Sequence, residues 1–176
     1  MDGVPGKRGG NQAGLLFYND AGDECGGLTF AGQRRQNGGY AAEGGLLFDQ
    51  FKQDQVVGIM HSDEDGKRWA GLWVWDRPDQ TLPERRAQWE AISRLPKGPE
   101  QRAAARAMGL DEVQRVFVGK TEDRAAVVRL CDAQRRERLR LTVDAAGAAS
   151  IEFRDEAGQV TRRLPDDLPV RGPATS

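Results

Sequence analysis

Polar and apolar residues alternate along the last third of the chain. Leu139, Leu141 and Val143 fall on one side of an extended segment, and the residues between them are Arg140 and Thr142. A period of two is typical of a β-strand with one face in a core and one face in water. The same pattern recurs from Ile151 onward, so this region is predicted to be an antiparallel meander whose apolar face is buried and whose polar face is solvated.

A four-residue phrase that begins with Asp or Asn and ends with Gly separates these segments. It occurs at residues 19–22, 63–66, 144–147 and 155–158, and residues 132–135 look like a copy that has lost its Gly. Asp or Asn caps the first position of a type I turn, and Gly at the fourth position takes a left-handed conformation. Each phrase therefore predicts a hairpin turn. The glycines expected to have positive φ are Gly22, Gly66, Gly147 and Gly158.

Upstream, several segments are apolar on both faces. The runs at 15–18, 46–48 and 73–75 have no polar alternation, which is typical of strands that are central or covered. Residues 31–44 are polar and rich in Gly, which predicts a long hairpin loop.

Residues 81–109 have the composition of helices. Thr81 and Glu84 have the spacing of a capping box, and Pro96 must end the first helix. A second short helix is expected to end at Gly109. These helices are predicted to cover the central strands.

The predicted fold class is mainly β: antiparallel hairpin or meander sheets, in a sandwich or barrel of eight to ten strands, with a short helical insertion near residues 81–109. The expected organisation is one domain or two packed halves. Its parts are a flexible N-terminus (1–12), an N-terminal β half (13–80), the helical insertion (81–109), a C-terminal β-meander half (110–165) and a flexible tail (166–176).

Charge and composition exclude several classes of protein. The 176 residues include 26 Lys and Arg and 27 Asp and Glu, a net charge of −1, so neither a nucleic acid nor an anionic membrane is an expected partner. No apolar run approaches the roughly 20 residues of a membrane-spanning helix. The first residues lack the apolar segment of a secretory signal. Two distant cysteines, Cys25 and Cys131, favour a reduced, cytoplasmic protein.

Catalytic and metal-binding patterns are weak. His61 is the single histidine, so an imidazole-based site must use it; a hydrolase-type enzyme would combine it with Asp49 and Asp54. The acidic turn at 61–66 resembles part of a calcium loop but lacks that loop's first and last carboxylate ligands. No metal site and no cofactor is predicted, and no catalytic residue is assigned.

Trp69, Trp73 and Trp75 point to the same side of one extended segment. An exposed stripe of this kind stacks on sugar rings or docks a partner, whereas a buried one fills a core and receives the helices. We assign these three residues as the candidate ligand-binding site and keep both interpretations open.

The phrase LFYNDAGDECGGL at residues 16–28 resembles a family of uncharacterised bacterial proteins. Similar stretches lie at 47–57 and 71–78 and in the terminal hairpins, so the resemblance covers most of 13–165. It implies no activity and carries over no site residues. Members of the family extend further upstream, which implies an additional strand, or an export or anchor segment, before Asp2.

The sequence thus favours a non-enzymatic β-sheet interaction module that binds an unknown protein or small ligand through a sheet face or edge. The alternative is small-molecule or carbohydrate binding through the tryptophan stripe. A hydrolase built on Asp and His is the third possibility.

Overall fold

The computed structural model describes residues 11–96, 98–110 and 112–165. The flexible ends predicted from the sequence fall mostly on residues 1–10 and 166–176, which lie outside the described residues. The elements are β1 Asn11–Tyr18, β2 Glu24–Arg34, β3 Tyr40–Asp49, β4 Gln55–Glu64, β5 Lys67–Asp76, α1 Leu82–Ile92, α2 Pro99–Ala107, β6 Val113–Lys120, β7 Ala126–Cys131, β8 Glu137–Val143, β9 Ala149–Arg154 and β10 Val160–Leu164.

The ten strands form one antiparallel sheet in which each strand pairs with its neighbours in sequence. The predicted mainly β meander with a short helical insertion is confirmed. The sheet is open, with β1 and β10 at its edges, so the strands form one layer and not the two layers of a sandwich or a closed barrel. The meander order follows from the short loops, each of which places a strand antiparallel beside the preceding one, while the helical insertion connects β5 and β6.

Seven hairpin loops share one backbone geometry. In each five-residue loop, the N–H of the first residue donates to the carbonyl of the fifth residue. The N–H of the fourth residue donates to the carbonyl of the first residue. The predicted positive φ is confirmed at Gly22 (81°), Gly147 (88°) and Gly158 (80°). Arg135, in the copy without Gly, also has a positive φ of 65°. The repeated phrase therefore encodes a turn that tolerates a strained residue at its fourth position.

The turn between β4 and β5 differs from the others. Gly66 has the predicted positive φ (86°), but Asp65 is also positive at 51°. Two positive φ values in a two-residue loop define a type I′ turn, whose twist matches the flanking strands. The type I geometry expected here is wrong, and the Asp63 carboxylate instead accepts the Gly66 N–H at 3.2 Å.

Two upstream regions also differ from the predictions. The loop expected at 31–44 is confined to residues between Arg34 and Tyr40, because β2 and β3 continue into the Gly-rich stretch. Glycine accommodates a neighbouring side chain there, because a Cβ on Gly44 would lie 2.9 Å from the Phe30 ring and would displace it. Residues 15–18 belong to the edge strand β1 and are exposed, Leu15 by 62%, so this strand is neither central nor covered.

The helices pack on each other at one end of the sheet. Thr81 donates its backbone N–H to Glu84 at 2.8 Å, which starts α1 as the capping box predicts. The residues buried between the helices and those packed against them are Ile92, Ala105, Leu110, Trp89, Leu95 and Ala104. Buried Arg85 fixes this unit by donating to Gln53 Oε1 at 2.9 Å and to the Leu110 carbonyl at 2.8 Å. The expectation that the helices cover the strands is wrong.

The two faces of the sheet have different chemistry. On the face that we call the outer face, one cross-strand row contains an aliphatic residue from every strand: Leu15, Leu28, Leu46, Ile59, Leu72, Val118, Val128, Leu141, Ile151 and Leu164. Four side chains of this row are exposed, among them Ile59 by 54% and Val118 by 41%, and the other six are half-buried. The apolar face of the meander is therefore the more exposed one.

The opposite face, which we call the inner face, is less accessible. Its cross-strand row runs through Leu16, Gly27, Leu47, Gly58, Trp73, Phe117, Arg129, Arg140, Glu152 and Arg163. Phe117 is 4% exposed and Glu152 is 6% exposed. The alternation predicted in the last third is confirmed, but the expectation that its polar face is the solvated one is wrong, because the charged residues of this face pair with one another.

Candidate functional site

The three tryptophans of β5 lie on the inner face and are half-buried. Trp69 and Trp73 meet edge to face with their ring centroids 4.9 Å apart, and Trp73 and Trp75 are parallel at 6.5 Å. Such contacts are favourable aromatic arrangements. The stripe is therefore packed within itself, and its three rings are not coplanar.

Phe117 fills the space that Gly71 leaves between the tryptophans. The Phe117 ring lies 4.8 Å from Trp73, and a Cβ on Gly71 would be 2.7 Å from the same ring. Trp73 also packs against the buried cluster formed by Phe117, Ala125 and Val127. Trp73 thus belongs to the core of the sheet, while Trp69 and Trp75 border cavities on either side of it.

The cavity beside Trp69 lies over the N-terminal half of the inner face and has a volume of about 290 Å³. Its apolar walls come from Leu16, Leu47, Met60 and Trp69, and glycines of β2 and β3 form much of its floor. A volume near 300 Å³ is at the small end of ligand pockets. The missing glycine side chains leave the space open.

Three carboxylates line this cavity: Glu24, Glu43 and Asp49. The Asp49 Oδ1 atom is shielded from solvent and has no hydrogen-bond partner in the described part of the chain. Burial, together with the nearby Glu24 and Asp54 carboxylates, raises the pKa of Asp49 to about 6, although Arg77 opposes this shift. The cavity is therefore an apolar groove in which negative charge is poorly compensated.

The C-terminal half of the inner face compensates its charges internally. Glu137 pairs with Arg140 at 2.7 Å and Arg154 at 3.3 Å. Buried Glu152 pairs with Arg154 at 2.6 Å and with Arg163, and these arginines lower the pKa of Glu152. Nearby, Arg136 and Arg138 pair with Asp132 at 2.7 and 3.5 Å, so these acidic residues are paired with arginines of the same chain.

A second cavity of about 350 Å³ lies beyond Trp75. Its lining is mostly polar and includes Arg129, Glu137 and Cys131. Burial raises the pKa of the Cys131 thiol, which reduces the thiolate fraction and with it the reactivity of the thiol. Cys25 and Cys131 are both free thiols.

The hydrolase hypothesis required Asp49, Asp54 and His61 to converge. His61 pairs with Gly44 across the sheet and Asp49 pairs with Gln55, which separates the two by six positions along β4, or about 20 Å. Asp54 instead faces the Arg77 guanidinium at 3.8 Å. The structure does not bring these side chains together into a catalytic site.

The acidic turn at residues 61–66 is hydrogen-bonded to side chains of the same chain. The Asp63 carboxylate accepts from Arg68 Nε at 2.6 Å and from the Tyr40 hydroxyl at 2.9 Å, and the Arg68 hydrogen bond is the main cause of the lowered pKa of Asp63. Within residues 11–96, 98–110 and 112–165, no group of three His, Cys, Asp or Glu side chains is placed to hold a metal ion. No helix in the same ranges has the length and apolarity needed to cross a membrane.

Sequence reasoning missed Glu24, Glu43 and Met60 as cavity residues. Glu43 belongs to the segment 31–44 that the sequence predicted to be a loop. Glu24 lines the cavity only because β2 lies beside β3. The signal that could have located the cavity is the occurrence of glycine on the inner face of neighbouring strands, such as Gly27 in β2 and Gly45 in β3. This pattern can be recognised only after the two strands have been paired.

Comparisons of the sequence and structure with protein-family models, curated proteins and solved structures give no match. The resemblance to uncharacterised bacterial proteins stays a prediction.

Proposed function

We propose that this protein is a non-enzymatic interaction module that binds a second polypeptide over the outer face of its sheet. The observation that carries the proposal is the row of ten aliphatic residues, one from each strand, on the more exposed side of the sheet. Monomeric soluble proteins rarely expose contiguous apolar patches larger than a few hundred Å².

The size of the outer face suits a protein partner. Nine strand spacings give a row about 43 Å long, and the adjacent apolar row widens it to about 13 Å, a patch on the order of 600 Å². One side of a standard protein interface buries about 800 Å². The second row adds further exposed residues, including Phe17, Phe48 and Phe153.

Chemistry defines the surface that this partner must present. The central row has no charged side chain, so an aliphatic face of a sheet or helix would pack on it without burying an unpaired charge. The basic residues Arg68 and Lys120 lie toward one end of the strands, where they form a polar rim.

Neighbouring residues of β4 provide a matched test. A photo-crosslinking amino acid at Ile59 points to the outer face, and one at the next residue, Met60, points to the inner face. In cells that contain the partner, Ile59 is expected to give one discrete crosslinked protein and Met60 none. Val118→Lys, two strands away on the outer face, should abolish that product while the thermal midpoint is retained.

The crosslinked protein, once identified and purified, should bind the wild type and bind Val118→Lys at least about tenfold more weakly, or about 1.4 kcal/mol. A product of twice the chain mass would identify the second polypeptide as another copy of this chain. Equal crosslinking from Ile59 and Met60, or an undiminished product with Val118→Lys, would contradict the proposal.

A further inference from the structure

The cavity of the inner face is an elongated groove with acidic groups at both ends. Asp49 and Glu24 line one end. Glu43 lies six positions from Asp49 along β3, about 20 Å for an extended strand. Glu43 shares a cross-strand row with Ser62 and Trp69, so a carboxylate and an aromatic ring mark the second end.

The middle of the groove is apolar. Leu16, Leu47 and Met60 line it, and Gly27 and Gly45 lie between them in the floor. Alkyl groups of a ligand would replace water along these side chains with a favourable hydrophobic contribution. The space depends on the glycines, since a Cβ on Gly45 would lie 2.9 Å from the Met60 Cγ.

None of the three carboxylates has an arginine or lysine nitrogen at ion-pair distance in the part of the chain that the structure describes, and Arg77 acts on Asp49 only from farther away. This differs from Glu137 and Glu152 on the same face, each of which pairs with more than one arginine. The shielded Oδ1 atom of Asp49 has no hydrogen-bond partner among the described residues, and a bound cation beside it would offset the cost of desolvating this carboxylate.

We propose that this groove binds a linear aliphatic polyamine, with one ammonium group beside Asp49 and Glu24 and another beside Glu43 and Trp69. The alkyl segments of the ligand lie along Leu16, Leu47 and Met60. A compact divalent metal cannot bridge carboxylates at this separation, and a neutral sugar would leave them unpaired. The Trp69 ring adds a cation–π contact for the second ammonium group.

Isothermal titration of the full chain with spermine, spermidine, n-butylammonium and Mg²⁺ tests the proposal. The expected order of affinity is spermine, then spermidine, then n-butylammonium, because only the longer chains reach both acidic ends. The indole N–H signal of Trp69 in the NMR spectrum, assigned with Trp69→Phe, is expected to shift with spermine.

Isosteric neutral variants locate the two ends. Glu43→Gln and Asp49→Asn should each raise the Kd for spermine about tenfold, equivalent to about 1.4 kcal/mol. The double variant should bind spermine no more tightly than n-butylammonium. Glu90→Gln is the control, since it removes the same charge from the exposed surface of α1 and should leave the affinity unchanged. Thermal midpoints and the dispersion of the NMR spectrum report that each variant is folded.

Several results would overturn the proposal. Spermine could bind no more tightly than n-butylammonium or Mg²⁺, which would mean that affinity does not depend on the length of the polyamine. Glu90→Gln could weaken binding as much as Asp49→Asn, which would mean that only net charge matters. A lysine-containing peptide that binds more tightly than spermine and shifts the Trp69 signal would identify a protein side chain as the occupant instead. The outer face is not involved in any of these outcomes.

Discussion

The two halves of the inner face differ in how they treat negative charge. In the C-terminal half, Glu137 and Glu152 are surrounded by arginines at ion-pair distance. In the N-terminal half, Glu43 and Asp49 line an apolar cavity without such partners in the described residues. Both halves share the same meander and the same outer row, and, except for the turn between β4 and β5, the same hairpin geometry.

The difference indicates separate roles for the halves. Ion pairs among half-buried residues satisfy their own charges and leave no vacancy for a ligand. Glycine and unpaired carboxylates leave both space and charge to be filled. The C-terminal half therefore acts as a structural part of the sheet, and the N-terminal half contains the groove.

We predict the largest effect when a carboxylate is removed from the C-terminal half of the inner face. Glu152→Gln should lower the free energy of unfolding by about 2–3 kcal/mol, because it leaves Arg163 without its acidic partner; partial exposure of the arginines moderates the loss. Glu43→Gln, the same change in the N-terminal half, should lower the free energy of unfolding by less than about 0.5 kcal/mol. Urea denaturation measures both. Equal losses would show that the halves do not differ in this way.

The next largest predicted effect is a difference in stability between two glycine-to-alanine substitutions. A Cβ on Gly119 would lie 2.2 Å from the Ala70 carbonyl oxygen, so Gly119→Ala must move backbone and should cost about 2 kcal/mol. The nearest atom to a Cβ on Gly45 belongs to the flexible Met60 side chain, so Gly45→Ala should cost less than about 1 kcal/mol. The same denaturation series measures both, and a larger loss for Gly45→Ala would contradict the assigned register.

The turns should not distinguish the halves. Gly22→Ala and Gly147→Ala should each cost about 1 kcal/mol, because both glycines have positive φ and open space around the missing Cβ. Asp144→Ala should cost less, through loss of the bonds from the Ala146 and Ala148 N–H groups at 2.9 Å. Denaturation midpoints identical to wild type would mean that the repeated phrase does not set these turns.

The smallest predicted effect is a pH dependence specific to the N-terminal half. The pKa of Asp49 is about 6 in the native protein and 3.8 when unperturbed. The native state therefore binds a proton before the unfolded chain does, and stability should rise as the pH falls from above 6 toward 3.8. Because Asp49 is only partly buried, the gain should stay below about 1 kcal/mol.

Asp49→Asn isolates this contribution from the neighbouring Glu24, Asp54 and Arg77. The difference in urea midpoint between wild type and Asp49→Asn, measured across that pH interval, should shrink as the pH falls. A constant difference would show that the carboxyl titrates normally.

Local sequence signals predicted much of the fold. The Asp-to-Gly phrases located turns such as 144–147, and alternation in β8 assigned Leu139 and Arg140 to opposite faces. Alternation does not specify what covers each face, however. Only the pairing of β8 with β9 shows that Arg140 lies beside Glu152 and that the charged face can be the protected one.

The candidate site was less predictable. The common direction of Trp69, Trp73 and Trp75 follows from strand periodicity alone. The approach of Glu24 to Asp49 depends on the register of β2 with β3, and the length of the connecting loop sets that register. A composition rich in Gly and polar residues predicted a loop at 31–44, because single-sequence patterns do not show where glycine is needed to accommodate a cross-strand ring such as Phe30.

The central claim is that the apolar face of the sheet is presented outward for a partner while the charged face is protected. Paramagnetic relaxation of methyl signals by a soluble gadolinium chelate, measured on the monomer, tests it directly. The account predicts strong relaxation of the Ile59, Val118 and Leu141 methyl groups and weak relaxation of those of Val127, which is 7% exposed. Protection of the first three together with strong relaxation of Val127 would contradict it.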